Sequence, residues 1–224
     1  REGIDYDYLG SDDEVARSAA ETIARGEVIG WFQGGSEIGP RALGNRSILL
    51  DIADPLSNTY ANKVKRRQWW RPSAATMLES AAAEYLKRCS TAPFMVVAYD
   101  TRAYEGNPIL SGKHVDETTR PQTVSKDSDA LVYAMLSHLK RISGVGAVVN
   151  TSYNRQEPLV ENPEEALNAL YYMEYVTYLF IGRYRVKKTS HLAPSILSIH
   201  DEKEVAGEAK IALESGDMLA WDIL

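Results

Sequence analysis

The sequence predicts an α/β fold, because short apolar runs that suit buried strands alternate with amphipathic segments that suit helices. Near the amino terminus, residues 11–25 form an amphipathic segment with Ser11 as a good N-cap and Gly26 as a good terminator. The apolar runs 28–32 and 47–50 follow, and the Gly-rich stretch Gln33–Ser47 separates them. We therefore expect a sheet with flanking helices and a Gly-rich loop at one of its edges.

The remaining elements follow from apolar periodicity, capping residues and the positions of Gly and Pro. We predict helices over residues 11–25, 56–68, 81–86, 129–142 and 162–173, and a charged helix near 206–214. We predict strands over residues 28–32, 47–50, 74–78, 94–99, 145–149, 176–181 and 184–187. Residues 100–120 show the least regular pattern.

Composition limits the classes of protein that fit. The chain has 224 residues and is 44% hydrophobic, which suits one large globular domain or two small ones. No apolar run approaches the roughly 20 residues that span a bilayer, and the charged first residues do not form a signal peptide. Cys89 is the only cysteine, so a disulfide framework is excluded and a cytoplasmic setting is expected. The chain begins at Arg1, so we expect a piece of a longer protein.

Positive charge is concentrated in one segment of an otherwise acidic chain. The net charge is −6, yet residues 41–78 hold seven Lys and Arg residues against two Asp residues. A nucleic-acid duplex binder would show a broad basic face. A single basic segment instead favours a small anionic ligand.

The Gly-rich loop, QGGSEIGPRALGNRS, combines the two features of an oxyanion site. Glycine lets backbone N–H groups approach a ligand closely, and Arg offers a planar fork of donors for phosphate or carboxylate. The loop is neither a P-loop nor a GxGxxG motif. An equally weighted alternative is a Gly-rich hairpin with two surface arginines.

Four further polar clusters lie downstream. Trp69-Trp70-Arg71 could stack on an adenine or clamp a cation, although a core position is the favoured interpretation for any single Trp. The basic side of the helix at 56–68 is most simply a solvated face. Residues 113–120 carry groups that suit an anion or Mg²⁺, but a metal role is not expected there. Residues 150–154 form a polar tip after a strand, where amide and hydroxyl groups can bind phosphate.

Taken in order, four motifs resemble the C-terminal half of the O-carbamoyltransferases, which carbamoylate aminoglycosides, cephamycins, ansamycins and nodulation factors. They are QGGSEIGPRALGNRS, RRQWWRPSAATMLE, KHVDETTRPQTV and VVNTSYNRQEPLVENPEEAL. The resemblance covers residues 26–187. Two departures are Ile38, where an aromatic residue is common, and Trp69-Trp70, which replaces a more polar pair.

The resemblance implies a single YrdC-like domain over residues 1–224, with a twisted mixed sheet around a basic concave cleft. It implies that this domain takes carbamoyl phosphate and ATP with Mg²⁺, forms carbamoyl-adenylate and releases pyrophosphate. A preceding Kae1-like domain with an iron-type metal, absent from this chain, would pass the carbamoyl group to a hydroxyl of a small acceptor. Membrane and nucleic-acid partners are not expected, and homodimerisation stays open.

The resemblance also assigns site residues. Arg41 and Arg71 correspond to the arginines that hold the anion of carbamoyl phosphate and are the expected catalytic residues. The expected substrate and nucleotide contacts are Lys63, Arg66, Arg120, Asn150, Thr151, Ser152 and Asn154, with no metal ligand. The alignment of Lys63 and Arg66 on their helix is the least exact.

Two other classes of function remain as alternatives. YrdC-like folds also serve as RNA-binding modules, in which Trp69 and Trp70 would be stacking platforms. The domain could also dock a partner without catalysing a reaction.

The mechanism favoured by the resemblance is electrostatic: Arg, Lys and Mg²⁺ offset the repulsion of two anions while carbamate attacks the α-phosphorus of ATP.

Overall fold

The computed structural model describes residues 4–89 and 91–189 of the chain. Its helices are α1 (Asp12–Ala24), α2 (Ser57–Val64), α3 (Glu79–Tyr85), α4 (Ala130–Ser143) and α5 (Pro163–Tyr172). Its strands are β1 (Asp5–Tyr8), β2 (Val28–Phe32), β3 (Arg46–Asp51), β4 (Ala74–Leu78), β5 (Tyr99–Asp100), β6 (Thr118–Thr119), β7 (Pro121–Val124), β8 (Ala147–Ser152), β9 (Val176–Ile181) and β10 (Tyr184–Lys187). No helix among these residues has the length and apolar character needed to cross a membrane.

Eight of the strands form one mixed sheet in the order β1-β10-β9-β2-β3-β8-β4-β7. The pairs β9–β2 and β4–β7 are parallel, and the other five pairs are antiparallel. Strands β5 and β6 pair separately as a short antiparallel ladder. The Gly-rich loop joins strands β2 and β3, as the sequence predicts, and these strands are neighbours at the centre of the sheet rather than at its edge.

Side-chain caps begin two of the longer helices, and the cap at Ser11 is the one that the sequence predicts. The side chain of Ser11 accepts a hydrogen bond from the backbone N–H of Glu14 at 3.2 Å and begins α1. Asp129 caps α4 in the same way, through the N–H of Val132 at 2.9 Å. These side chains satisfy donors that have no partner within their own helix.

The central strands are buried on both faces. On one face, α1 packs against α4, and the indole N–H of Trp31 donates to the carbonyl of Gly44 at 2.7 Å. On the other face, a Cβ on Gly30 would lie 2.8 Å from the Tyr153 ring, so glycine is needed for the ring to pack there. The Tyr153 hydroxyl donates to the carbonyl of Ala166 in α5 at 2.7 Å. All five strand residues of β2 are buried.

The predicted strand over residues 94–99 is wrong for most of its length. Only Tyr99 and Asp100 are in a strand, whereas Phe94 and Val96 are 62% and 75% exposed. The backbone of Met95 has φ 53°, which is incompatible with an extended strand. An apolar run therefore forms a surface turn here rather than a buried strand.

Two other predicted boundaries shift. Helix α2 ends at Val64 instead of continuing to residue 68, because Arg66 adopts a left-handed conformation with φ 44°. Strand β8 continues through Asn150 and Thr151 to Ser152, so the predicted polar tip is part of the paired strand. The sequence does not predict strands β1, β6 and β7, and the helix predicted near residues 206–214 lies outside the described residues.

Candidate anion-binding site

Basic and polar side chains from four segments surround a pocket of about 110 Å³ on the β3-β8-β4-β7 half of the sheet. Its lining residues are Pro40, Arg41, Ala42, Arg67, Pro72, Ser73, Ala74, Met95, Arg120, Asn150, Thr151 and Ser152. Three of them are arginines and none is acidic. The pocket therefore has the charge and donor groups of an anion site.

The loop that carries Arg41 is held by the carboxylate of Glu37. The Oε1 atom of Glu37 accepts backbone N–H groups from Leu43 at 2.7 Å, Asn45 at 2.9 Å and Arg46 at 3.3 Å. Its second oxygen, Oε2, is buried without a hydrogen-bond partner among the described residues. A carboxylate that accepts several backbone N–H groups fixes the positions of those residues and so stabilises one conformation of the loop.

Arg46, the second arginine of the loop, stabilises the loop instead of lining the pocket. Its guanidinium group is buried, donates to the carbonyls of Gln33 at 2.8 Å and Val160 at 3.1 Å, and lies 3.6 Å from the centre of the Phe32 ring. Burial lowers the pKa of Arg46, and the nearby carboxylate of Glu37 partly offsets this effect. Arg46 is thus part of the framework that presents Arg41.

A hydrogen-bonded chain of side chains connects the loop to the neighbouring strands. The amide of Asn150 donates to the hydroxyl of Thr76 at 2.9 Å, and Thr76 donates to Gln122 at 2.8 Å. Gln122 then donates to the carbonyl of Leu43 at 2.7 Å. All three side chains are buried, so this network ties β8, β4 and β7 to the Gly-rich loop.

The segment after α2 directs two cations towards the pocket. The ammonium group of Lys65 donates to the carbonyl and the hydroxyl of Ser152 at 2.9 and 2.8 Å, and also to the side-chain carbonyl of Asn154. Arg67 donates from Nε to the side-chain oxygen of Asn62 at 2.6 Å. The left-handed Arg66 between them is exposed. The turn therefore separates two inward cations from one outward cation.

Burial of these cations changes their acid–base properties. Desolvation, reinforced by the positive charge of Arg67, lowers the pKa of Lys65 to about 7, while the carboxylate of Glu157 acts in the opposite direction. Desolvation and the charge of Arg71 lower the pKa of Arg67 to about 10. A bound anion would relieve both effects, because it supplies the countercharge that the pocket lacks.

Two lining groups have unused hydrogen-bonding capacity. The Nε donor of Arg120 and the side-chain carbonyl oxygen of Asn150 are buried, and neither has a partner among the described residues. Burial lowers the pKa of Arg120, and the positive charge of Arg41 adds to this effect. Unsatisfied buried polar groups cost free energy unless a ligand or water completes them.

The structure brings most of the residues predicted for the site together. Arg41, Arg120, Asn150, Thr151 and Ser152 line the pocket. Asn154 contacts Lys65 beside it, and Arg71 adjoins the lining residue Pro72, close enough for its charge to affect Lys65 and Arg67.

Two predicted site residues lie elsewhere. The ammonium group of Lys63 lies 5.5 Å from the centre of the Tyr175 ring, and Arg66 offers its carbonyl to the side chain of Gln156 at 3.5 Å. Neither residue lines the pocket. Lys65 and Arg67 contribute the cations on this side. The sequence contains a weak signal for Lys65, because it shares a helical face with Asn58 and Asn62, but it contains none for the turn at Arg66.

The tryptophans differ from their favoured interpretation. Trp69 and Trp70 are 76% and 63% exposed, so the expectation that such residues are core anchors is wrong. The polar cluster at 113–120 is held by its own contacts: His114 lies 3.0 Å from the hydroxyl of Thr118, which donates to Asp116 at 2.7 Å. Among the described residues, acidic, His and Cys side chains form no group of three or more that could hold a metal ion.

Mg²⁺ fits this pocket only as part of a bound nucleotide. Mg²⁺ in nucleotide sites is usually held by one or two carboxylates together with the phosphates. The pocket is lined by cations, amides and hydroxyls and has no carboxylate. These residues would contact phosphate oxygens, and we assign no metal ligand and no metal-dependent step to the chain.

The fold and the pocket define a mixed α/β domain with a pocket lined by arginines. The sequence profile of the family described as carbamoyltransferase C-terminus matches residues 20–188, and the chain belongs to this family. The resemblance that the four motifs indicate is thereby confirmed.

Two curated relatives illustrate this membership. The chain is 38% identical over 181 residues to the nodulation protein NolNO of Sinorhizobium fredii, covering 79% of this chain and 26% of that protein. It is 36% identical over 142 residues to the 3'-hydroxymethylcephem-O-carbamoyltransferase of Streptomyces clavuligerus, covering 63% of this chain and 26% of that protein. The chain thus spans only about a quarter of the length of these relatives.

The solved structure of P. abyssi Sua5 complexed with L-threonine is similar in fold. The TM-score is 0.51 at 13% sequence identity, and the match covers 77% of this chain and 48% of that chain. This likeness confirms the predicted YrdC-like architecture, a twisted mixed sheet with flanking helices.

Proposed function

We propose that this chain is the adenylate-forming half of an ATP-dependent O-carbamoyltransferase. It uses carbamoyl phosphate and ATP, forms carbamoyl-adenylate, and releases phosphate and pyrophosphate. The observation that carries the proposal is the convergence of Arg41, Arg67 and Arg120 on one pocket without a carboxylate. Family membership supplies the carbamoyl chemistry, and the pocket supplies a place where anionic substrates can be neutralised.

The proposed reaction balances in two steps. Water first cleaves carbamoyl phosphate to carbamate and phosphate. A carbamate oxygen then attacks the α-phosphorus of ATP, the bond to the bridging oxygen breaks, and pyrophosphate leaves with the electron pair. The arginines stabilise negative charge on the phosphates in both steps, so no side chain needs to act as a covalent nucleophile.

In the full-length protein, a preceding Kae1-like domain would transfer the carbamoyl group to an acceptor hydroxyl. The mixed anhydride of carbamate and phosphate is labile in water, so its transfer would require a path shielded from solvent. Without that domain, this chain should form AMP and pyrophosphate from ATP and carbamoyl phosphate but should carbamoylate no acceptor.

The test is to incubate the 224-residue chain with ATP and Mg²⁺, with and without carbamoyl phosphate, and to separate the nucleotides. We expect AMP and pyrophosphate only when carbamoyl phosphate is present. Arg41→Ala should abolish the product, whereas Arg17→Ala, on the exposed side of α1, should not. Formation of ADP and phosphate would identify an ordinary ATPase, and carbamoylation by the chain alone would refute the division between two domains.

RNA binding is a second candidate, favoured by the exposure of Trp69 and Trp70 beside the arginines. Exposed aromatic rings next to cations are typical of single-strand binding surfaces. Titration of a single-stranded RNA at increasing salt would test it. Affinity that falls steeply with salt, together with no AMP formation, would favour this candidate over the first.

A further inference from the structure

Trp69 and Trp70 are displayed to solvent although large aromatic side chains are usually well buried. Within the described part of the chain, neither indole contacts another aromatic ring or a cation. Exposed apolar groups that lie next to one another commonly mark a surface that binds something. Neither residue belongs to the hydrophobic core or packs against it.

The backbone that carries the two indoles is anchored. The side-chain amide of Asn62 donates to the carbonyl of Trp69 at 2.8 Å and to the carbonyl of Arg71 at 3.0 Å. The N–H of Arg71 donates to the carbonyl of Gln68 at 3.1 Å and closes a turn around the pair. Asn62 itself is buried in α2. A platform held in this way loses little conformational entropy when a ligand binds.

The turn lies at the edge of the anion pocket. Arg67 and Pro72 both line the pocket, and each is two residues away from one of the tryptophans. The Cα atoms of residues two apart are separated by at most about 7.6 Å. The backbone that carries the two indoles is therefore next to the lining of the pocket, although neither tryptophan lines the pocket itself.

The size of the pocket indicates what must lie outside it. Sites that enclose drug-sized ligands have volumes of roughly 300–1,000 Å³. A pocket of about 110 Å³ can hold phosphate groups but cannot also enclose the base of a nucleotide. The base of a bound nucleoside triphosphate would lie outside the pocket, and Trp69 and Trp70 are the only exposed indoles in the described residues.

We propose that Trp69 and Trp70 form the base-stacking platform for the nucleotide whose phosphates occupy the arginine pocket. This inference rests on the proposed use of ATP and adds the subsite for its base. An indole presents a flat π-surface on which a purine ring stacks, and the arginines fix the other end of the same molecule. The platform should favour any nucleoside triphosphate over the triphosphate alone, and purines over pyrimidines.

The test measures the affinities of ATP and inorganic tripolyphosphate for the full chain by calorimetry. The Trp69→Ala/Trp70→Ala variant should bind ATP roughly five- to one-hundred-fold more weakly, because each stacked base typically contributes that much. Its affinity for tripolyphosphate should stay within about twofold. The Trp69→Phe/Trp70→Phe variant, which keeps a ring at each position, should recover most of the ATP affinity.

Tyr8→Ala is a matched control, because Tyr8 is also an exposed aromatic residue but lies on β1 at the opposite edge of the sheet. It should bind both probes normally. An equal loss of affinity for ATP and for tripolyphosphate in the alanine variant would mean that the turn only shapes the phosphate pocket. Unchanged affinity for both probes would also overturn the platform. If the unaltered chain binds tripolyphosphate but not ATP, the proposed function itself fails.

Discussion

At the scale of single residues, the site separates cations that bind from cations that support. Arg46 is buried and uses its guanidinium group on backbone carbonyls and the Phe32 ring, whereas Arg41 is exposed at the pocket. Within the described residues, the guanidinium groups of Arg41 and Arg71 make no hydrogen bond or ion pair. A cation without a countercharge is free to bind an anionic ligand with little loss of existing contacts.

Because the guanidinium groups of Arg41 and Arg71 are available to a ligand, removing either one should affect binding more than stability. Arg41→Ala or Arg71→Ala should weaken carbamoyl phosphate binding at least tenfold, because a hydrogen bond to a charged group contributes on the order of 1.5–3 kcal/mol. The melting temperature should barely change, and Lys in place of Arg should not restore full affinity. Calorimetry and thermal unfolding measure both quantities, and Arg17→Ala serves as the control. Unchanged affinity in both alanine variants would contradict the assignment.

The lowered pKa of Lys65 predicts that the stability of the protein depends on pH. Its pKa is about 7 in the folded protein and about 10.4 in an unfolded chain, so the unfolded state binds more protons between these values. The free energy of unfolding should therefore rise with pH, by about 2 kcal/mol from pH 7 to pH 9 through this residue alone. The stabilisation should fall away as the pH drops towards 7.

Urea unfolding of the unaltered chain and of Lys65→Met at pH 7 and pH 9 measures this contribution. The variant should lack the rise, while Lys113→Met, which removes a partly exposed lysine paired with Glu117, should keep it. The same rise in the unaltered chain and in Lys65→Met would show that Lys65 does not carry this effect.

At the scale of elements, the Gly-rich loop depends on one carboxylate. Glu37 accepts three backbone N–H groups of residues that follow Arg41, and so determines how the loop returns to β3. Gly44 adopts φ 107° in this return, and a Cβ there would lie 2.9 Å from the side chain of Val132 in α4. The loop is therefore specified by contacts with its own backbone and by close packing on a helix.

Glu37→Ala should loosen the loop. We expect the free energy of unfolding to fall by about 1–3 kcal/mol, because three N–H groups lose a charged acceptor. Carbamoyl phosphate should also bind more weakly, although Glu37 does not line the pocket. Ser36→Ala is the control, because its hydroxyl donates to the side chain of Glu161 at 3.0 Å and not to the backbone of the loop among the described residues. Full affinity in the Glu37 variant would show that the position of Arg41 is independent of this contact.

At the scale of the whole molecule, the pocket depends on strands that are distant in sequence. Asn150 in β8 lies opposite Leu49 in β3 and Ala74 in β4, and its amide reaches both Thr76 and the carbonyl of Ala42. The sheet thus brings residues from the first half of the chain against the polar end of β8. The other half of the sheet, strands β1, β10, β9 and β2, contributes none of the lining residues.

Local sequence signals predicted most of the elements, because caps and apolar periodicity act within a few residues. Ser11 and Asp129 begin the helices that they were expected to begin, and the apolar run 28–32 forms the buried strand β2. The loop between β2 and β3 was likewise predicted, since its glycines and proline interrupt two apolar runs. The family motifs also lie where the chain forms its pocket, at Arg41, Arg120 and Asn150.

Which cations face the pocket, and which apolar residues face solvent, depends on the tertiary structure and is not predicted by the sequence patterns. The left-handed backbone at Arg66 ends α2, and beyond it Arg67 lines the pocket, while Lys65 meets Ser152 from a distant strand. Similarly, the conformation of Met95 exposes Phe94, which an apolar pattern alone would place in a strand. The direction of a side chain depends on such single angles and long-range contacts, whereas sequence patterns within a window report only average preferences.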